Sequence, residues 1–395
     1  MPYRKFQADY LFTGYKMLNN NHVLVTDEDG VVKDIIPYDE AGDDVMYLEG
    51  ILSPGFINCH CHLELSHMKG LIPQHTDMVD FLIQVMQKRN HAEKEILSAI
   101  TQAETEMIRN GIVAVGDICN TPFSLQQKLK GNIKYFNFIE ATGFIPEYAS
   151  SRFESIKSVY DVFAQYFPNK SSIVPHAPYS VSKELLELIN DFSYQKIISI
   201  HNQESQAENN FFIHGNSDFK RLYKSLGADI SFYHPSRKSS IQTYLPSLNH
   251  TGEIILVHNT FIKKEDLRFV QQLQENTGFP EVYYCICANA NLYIENTLPE
   301  IDLLLSHNCN IVLGTDSLSS NNELNILSEI NTIKNAFPEV SIENLLKWAT
   351  INGAKALRMD NELGSFDIGK KPGIIQLKNL HNSEFSVPLF TNRIL

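Results

Sequence analysis

The chain has little that would suit a membrane, a nucleic acid or an oxidising compartment. No uninterrupted apolar run approaches the roughly 20 residues needed to cross a bilayer, and Met1-Pro2-Tyr3-Arg4-Lys5-Phe6-Gln7 lacks the long apolar core of a signal peptide. A cytoplasmic protein with no membrane partner is expected. Positive charge is scarce: 33 Lys and Arg stand against 46 Asp and Glu, a formal net charge of -13. Phosphate contacts need clustered Lys and Arg, so no nucleic-acid partner is expected. Six cysteines in 395 residues do not make a disulfide framework. No Gly-x-Gly-x-x-Gly follows the first barrel-like strand, which leaves a dinucleotide-binding sheet without support. Tandem repeats and low-complexity linkers are missing too.

What is present is 43% apolar content in a chain long enough for one large barrel and a smaller domain. Its most informative feature is His60-Cys61-His62, inside Pro54-Gly55-Phe56-Ile57-Asn58-Cys59-His60-Cys61-His62-Leu63-Glu64. On a strand, side chains alternate between faces, so both imidazoles emerge on one side while Cys59 and Cys61 turn to the other as packed thiols. Two neutral imidazoles on one rigid strand make half of a metal site. Downstream, Ser199-Ile200-His201, Ile255-Leu256-Val257-His258 and Ile311-Val312-Leu313-Gly314-Thr315-Asp316 each end an apolar run in a His or Asp. Barrel enzymes place their chemistry at such C-terminal strand ends.

Strands are expected at Gly55–His62, Ile112–Ile118, Lys134–Ala141, Ser171–His176, Lys196–His201, Glu253–His258, Glu281–Cys287 and Cys309–Gly314. Helical spacing recurs between them at Met78–Arg89, His91–Arg109, Lys183–Asp191, Lys263–Glu275 and Leu324–Ala336. This alternation reads as an α/β chain, a (β/α)8 TIM barrel over residues 53–359. Residues 1–52, with strand candidates Val23–Thr26 and Gly30–Ile36, and residues 360–395, with Ile374–Leu377, are expected to form one small β-sandwich domain from both chain ends. Ser205 to about His250 reads as a helical excursion that shapes the pocket.

The Gly55-Phe56-Ile57-Asn58 entry, His60-x-His62, His201-x-x-Glu204, His258, Leu313-Gly314-Thr315-Asp316-Ser317 with Ser320-Asn321, and Gly364-Ser365 with Gly369-Lys370 resemble, in this order, the amidohydrolase superfamily. Within it they resemble the cyclic-amidine deaminases and chlorohydrolases, aminofutalosine and adenosine-type deaminases among them. The resemblance implies one divalent metal held by His60, His62, His201 and Asp316, with Zn2+ the natural ion and Fe2+ also suited. Binuclear relatives use a carboxylated Lys on the fourth strand, and Ser171–His176 contains none.

By the same likeness Glu204 shuttles the proton, Asp316 takes a second proton to the leaving ammonia, and His258 steadies the reacting centre. His176, in Pro175-His176-Ala177-Pro178-Tyr179, matches a substrate-contacting position. Glu64 lines the pocket if the first strand continues past His62. Arg152 lies beyond the third strand, where some relatives keep an Arg for a substrate carboxylate. Relatives often carry Cys-Pro-x-Ser-Asn at the seventh strand; here Cys287-Ala288-Asn289-Ala290-Asn291 leaves Asn291 as the matching polar group. The implied activity is hydrolytic deamination of a purine-like or other aminated heterocycle, a small-molecule substrate. The alternatives are a chlorohydrolase or cyclic amide hydrolase with the same site, and a non-catalytic metal-binding relative. Glu204 argues against the last, since a closed structural zinc site has no use for a proton shuttle. Oligomeric state is open, a homo-oligomer included.

Overall fold

The computed structural model describes residues 3–381 and 384–395, and at 379–387 it describes no side chains. Met1, Pro2 and the His381 side chain lie outside the described residues.

The two chain ends meet in one sheet. Strands β1 (Tyr3–Phe12), β2 (Met17–Asn19), β3 (His22–Asp27), β4 (Val32–Pro37) and β5 (Val45–Pro54) come from the N-terminal part. They join β14 (Ile374–His381) and β15 (Glu384–Arg393) in the order β15-β14-β5-β1-β3-β4, with β2 on β1. The β5/β14 register, Ile374 opposite Pro54 and Leu377 opposite Ile51, is the join between the termini. Alternation along β1 sends Phe6 and Ala8 into a separate small core with Leu11, Leu24, Leu52 and Ile374. At Gly50, with φ of 98°, any Cβ would collide with the Leu377 carbonyl, so only glycine lets β5 and β14 pair here. A β-sandwich is the expectation from sequence; among the described residues the two chain ends form one seven-stranded mixed sheet, and a sandwich is not confirmed.

The eight remaining strands are those expected. They are β6 (Phe56–Cys61), β7 (Ile112–Cys119), β8 (Lys134–Ala141), β9 (Ser171–Pro175), β10 (Ile198–Asn202), β11 (Ile254–His258), β12 (Val282–Ile286) and β13 (Asn310–Leu313). They form two four-stranded parallel sheets, β6-β7-β8-β9 and β10-β11-β12-β13. Most of these strands are buried along their whole length, as parallel strands covered on both faces must be.

The half-sheets touch at both seams. His201 N donates to the His176 carbonyl at 3.0 Å, and Thr315 N and Asp316 N donate to the His60 carbonyl at 3.0 and 3.1 Å. Asn58 Nδ2 donates to Thr315 Oγ1 at 2.8 Å, and Thr315 N reaches Asn58 Oδ1 at 3.2 Å. Gly314 makes this approach possible, since a Cβ there would stand 2.9 Å from His60 Cβ. A continuous closed ladder, which the barrel reading called for, is not found among the described residues.

Several strands stop earlier than expected, leaving His62, His176 and Gly314 just outside the ladder. After Cys61 the chain turns into a 3-10 helix, Leu63–Met68, so Glu64 sits on that turn and not on a prolonged strand. Helices form at Met78–Lys88, Glu93–Arg109, Lys183–Phe192, Lys264–Thr277 and Ile326–Ala336, close to their expected limits. Ser182 caps one of them, its hydroxyl accepting from Leu185 N at 3.1 Å. The excursion after β10 is helical, with Gln206–His214, Phe219–Ser225 and Ser240–Tyr244. Among the described residues no helix is long and apolar enough to cross a membrane.

Candidate active site

Six of the sequence-selected side chains, His60, His62, His201, Glu204, His258 and Asp316, converge at the C-terminal ends of the two half-sheets. His60 comes from β6 and His62 from the turn after it, and their Nε2 atoms lie 3.1 Å apart. A tetrahedral ion bonded to two nitrogens at about 2.0–2.1 Å would hold them about 3.3 Å apart. Asp316 Oδ1 lies 3.5 Å from His60 Nε2 and 3.3 Å from His62 Nε2. The His201 ring is centred 4.8 Å from that of His60 and 5.4 Å from that of His62. His201 Nδ1 lies 2.7 Å from the His176 carbonyl, which can only accept, so Nδ1 carries the hydrogen and Nε2 keeps its lone pair for a ligand.

Ligand-capable atoms of His60, His201, His258 and Asp316 all lie within 4.8 Å of one another, as do those of His62, Glu140 and His201. The first group contains His258 where the sequence reading has His62. His258 Nδ1 meets Asn291 Oδ1 at 2.7 Å, and its Nε2, 3.3 Å from Glu204 Oε1, is buried without a hydrogen bond. A buried set of imidazoles and one carboxylate, with an orphaned ring nitrogen beside it, fits a divalent cation.

Burial sets the electrostatics. It pushes His62 down to about 4 and lowers His60, His201 and His258 as well, so their rings are neutral and ready to coordinate at neutral pH. For Asp316, burial would raise the carboxyl, but the adjoining His60, His62 and His258 hold it well below the usual carboxylate range. Glu204 goes the other way: burial, then repulsion from Asp316, keeps its carboxyl well above the ordinary value. Two acids with opposed tendencies in one site divide into a proton holder and an anion.

The backbone aims these groups. Gln203, His258, Asn259 and Asp316 all have left-handed φ, between 45° and 74°, which costs energy outside glycine and turns the chain sharply at each strand end. The turn before Glu204 is clamped by Gln203 N on Glu208 Oε1 at 2.9 Å and Gln203 Nε2 on Asp266 Oδ2 at 2.9 Å. Asp316 Oδ2 accepts the Ser320 hydroxyl.

The candidate substrate residues are placed unequally. His176 Nδ1 lies 2.7 Å from Glu140 Oε1. Burial would lower His176, but the Glu140 charge raises it; burial would raise Glu140, but His176 holds it below the carboxylate range. Glu140 was missed, though it stands as the others do, a polar residue near the C-terminal end of a buried strand, directly after Phe138-Ile139. Asn120 Nδ2 donates to its second oxygen at 2.9 Å. Glu64 is buried and accepts from Thr121 N at 3.0 Å and Thr121 Oγ1 at 2.9 Å, with Arg89 at 3.4 Å; burial pushes it up to about 7. Asn291 stands behind His258. Arg152 is exposed on the helix Ala149–Tyr166, its stem against Gly143, outside the cluster.

The model of the amidohydrolase family matches residues 51–390. The chain belongs to the amidohydrolase family. A relative, the 5-methylthioadenosine/S-adenosylhomocysteine deaminase of Thermoanaerobacter pseudethanolicus, is 26% identical over 346 residues, covering 82% of this chain and 72% of that one. The solved Helicobacter pylori aminofutalosine deaminase in complex with methylthio-coformycin superposes with a TM-score of 0.81 at 21% identity, over 96% of this chain and 93% of that one. An adenosine deaminase from Xanthomonas campestris with bound zinc gives a TM-score of 0.70 at 18% identity, over 97% and 86%. This amidohydrolase therefore has the mixed α/β architecture of those enzymes, and deaminases are among its homologues.

Cys59 and Cys61 are fully buried free thiols, and Cys59 Sγ packs toward Gly353, beneath β6 and away from the histidine face. Cys59→Ser and Cys61→Ser are expected to bind metal as the parent does, with a stability loss of roughly 1–3 kcal/mol for a buried hydroxyl. Metal analysis and thermal melts check this; a folded variant that loses the metal would mean that a thiol takes part in the centre.

Proposed function

We propose that this amidohydrolase is a metal-dependent hydrolytic deaminase that removes an exocyclic amine from a purine-like or other aminated heterocycle. The observation that carries the reading is Glu204, a carboxyl raised above its ordinary value by burial, 3.3 Å from His258 Nε2 and beside the His60, His62, Asp316 cluster. His60, His62, His201 and Asp316 would hold one divalent cation, Zn2+ by preference, with Fe2+ suited to the same donors. Such an ion supplies Lewis acidity and lowers the pKa of a bound water toward about 7.

The residues do the rest. Glu204 gives its proton to the ring nitrogen beside the carbon under attack, which makes that carbon electrophilic, and regains one from the added hydroxyl as the carbonyl forms, while the other proton of the attacking water passes to Asp316. His258, with Nδ1–H turned to Asn291, presents the Nε2 lone pair and orients the attacking water by accepting a hydrogen bond from it. Asp316, held anionic, accepts a proton and returns it to the departing ammonia. His176, fixed by Glu140, and Glu64 and Asn291 are the groups read as contacting the ring or its substituent. Arg152, exposed and apart, is left out of this set. The two half-sheets are read as a (β/α)8 barrel over 53–359, and the seven-stranded sheet of 1–52 and 360–395 as a small β domain, in a protein acting on a cytoplasmic small molecule.

The test is a coupled ammonia assay on the metal-loaded protein across aminopurines, adenine nucleosides, pterins and triazines, beside chloride release from the matched chlorinated compounds. Ammonia release is expected. Chloride release alone would replace the reading with a chlorohydrolase, and inactivity on both at full metal loading would overturn it.

A further inference from the structure

One buried cation takes part in none of these steps. Lys128, on the helix Leu125–Lys128, is fully buried, and its ammonium meets Asp117 Oδ2 at 2.5 Å, Asn137 Oδ1 at 2.8 Å and Cys119 Sγ at 3.1 Å. The rings of Tyr135 and Phe163 lie 5.0 Å from its nitrogen. Asp117, on β7, is equally buried. An apolar pair of similar size is often as stable as a buried ion pair or more so, so stability alone does not account for these charges.

The other Asp117 oxygen shows what they hold. Oδ1 accepts the backbone N–H of Leu63 at 2.8 Å. That peptide is the one immediately after His62, where the chain leaves β6 with a His62 ψ of 77°, between the helical and extended ranges. An ionised acceptor makes a stronger, more directional bond than a neutral one, and Lys128, grasping the second oxygen, stops the carboxylate from turning. Fixing this peptide fixes the His62 Cα–Cβ direction, and with it the 3.1 Å approach of His62 Nε2 to His60 Nε2.

We propose that the Lys128–Asp117 pair is a positioning device for the metal centre, acting through the Leu63 peptide on His62. The proposal rests on the reading of His62 as a ligand. Asp117 is the positioning residue, and Lys128 orients it. Outer groups that orient a ligand typically change metal affinity by about 10–100-fold when removed.

Two charge-free variants isolate the hydrogen bond. Lys128→Met/Asp117→Asn keeps an oxygen facing Leu63 N, whereas Lys128→Met/Asp117→Leu removes it; both dispense with the buried charges. Zn2+ affinity is read by competition with a chromophoric chelator, and geometry from the visible spectrum of the Co2+ form. The asparagine variant, whose neutral oxygen Lys128 no longer holds, is expected to bind Zn2+ a few-fold more weakly than the parent with its Co2+ spectrum largely kept, and the leucine variant to bind about 10–100-fold more weakly with an altered spectrum. Equal affinity and equal spectra in the two folded variants would overturn the proposal, and alanine at 117 replaces leucine if that variant fails to fold. His62→Ala is the control: parental Zn2+ affinity in it would remove His62 from the ligand set itself, whereas a loss there beside equal affinities in the paired variants would discard only the positioning role.

Discussion

Glu204→Gln is expected to keep the fold and the bound metal while lowering kcat by about 100- to 10,000-fold, the range that a positioned general acid contributes. The glutamine amide has nearly the shape of the carboxylic acid and sits in the same buried pocket, but it has no proton to give the ring nitrogen. Burial and the Asp316 charge raise the parent carboxyl, which favours the proton-bearing form that this step uses. KM should move little, because the lost interaction forms in the transition state and not with bound substrate. Steady-state kinetics beside metal analysis decide the matter. Unimpaired turnover in a metal-loaded variant would take Glu204 out of the chemistry.

Removing the metal should be more severe still. A chelated apoprotein is expected to retain its strands, show no measurable turnover, and recover on addition of one equivalent of Zn2+. Neutral, buried imidazoles coordinate without first giving up protons, so loading should be complete at neutral pH and fail in acid, once protons compete for rings such as His62, whose pKa is about 4. An ion that binds only the folded chain adds about 2.7 kcal/mol at a free concentration of 100 times Kd, visible as a rise in Tm. His60→Ala should abolish both the rise and the activity. A reproducible stoichiometry of two would contradict a single centre.

Local pattern told most where it was strongest. His60, His201, His258 and Asp316 each stand at or close to a strand end, where a His or Asp is readable against the largely apolar residues that precede it. Glu140 carried the same sign and was passed over, since a carboxylate without an adjoining motif reads as a loop residue until His176 is seen beside it. The helix Ala149–Tyr166 was missed because it buries only Ala149, Phe153 and Phe163 and leaves an indistinct apolar stripe. Strands β1 and β5 were missed as well; their pairing is parallel and spans residues far apart in sequence, and alternation interrupted by Arg4, Lys5 and Glu49 does not announce it. The Asp117–Lys128 contact joins a strand to a later helix and is invisible to any periodicity.

The two half-sheets each bring only part of the proposed ligand set. His60 and His62 stand on the first, and His201 and Asp316 on the second; along one seam Asn58 donates to Thr315, and the His60 carbonyl accepts from Thr315 N and Asp316 N. Neither half brings the full set by itself. With that ligand set the complete centre forms only once the N-terminal and C-terminal halves have docked, and the rate of Zn2+ uptake during refolding would time that docking.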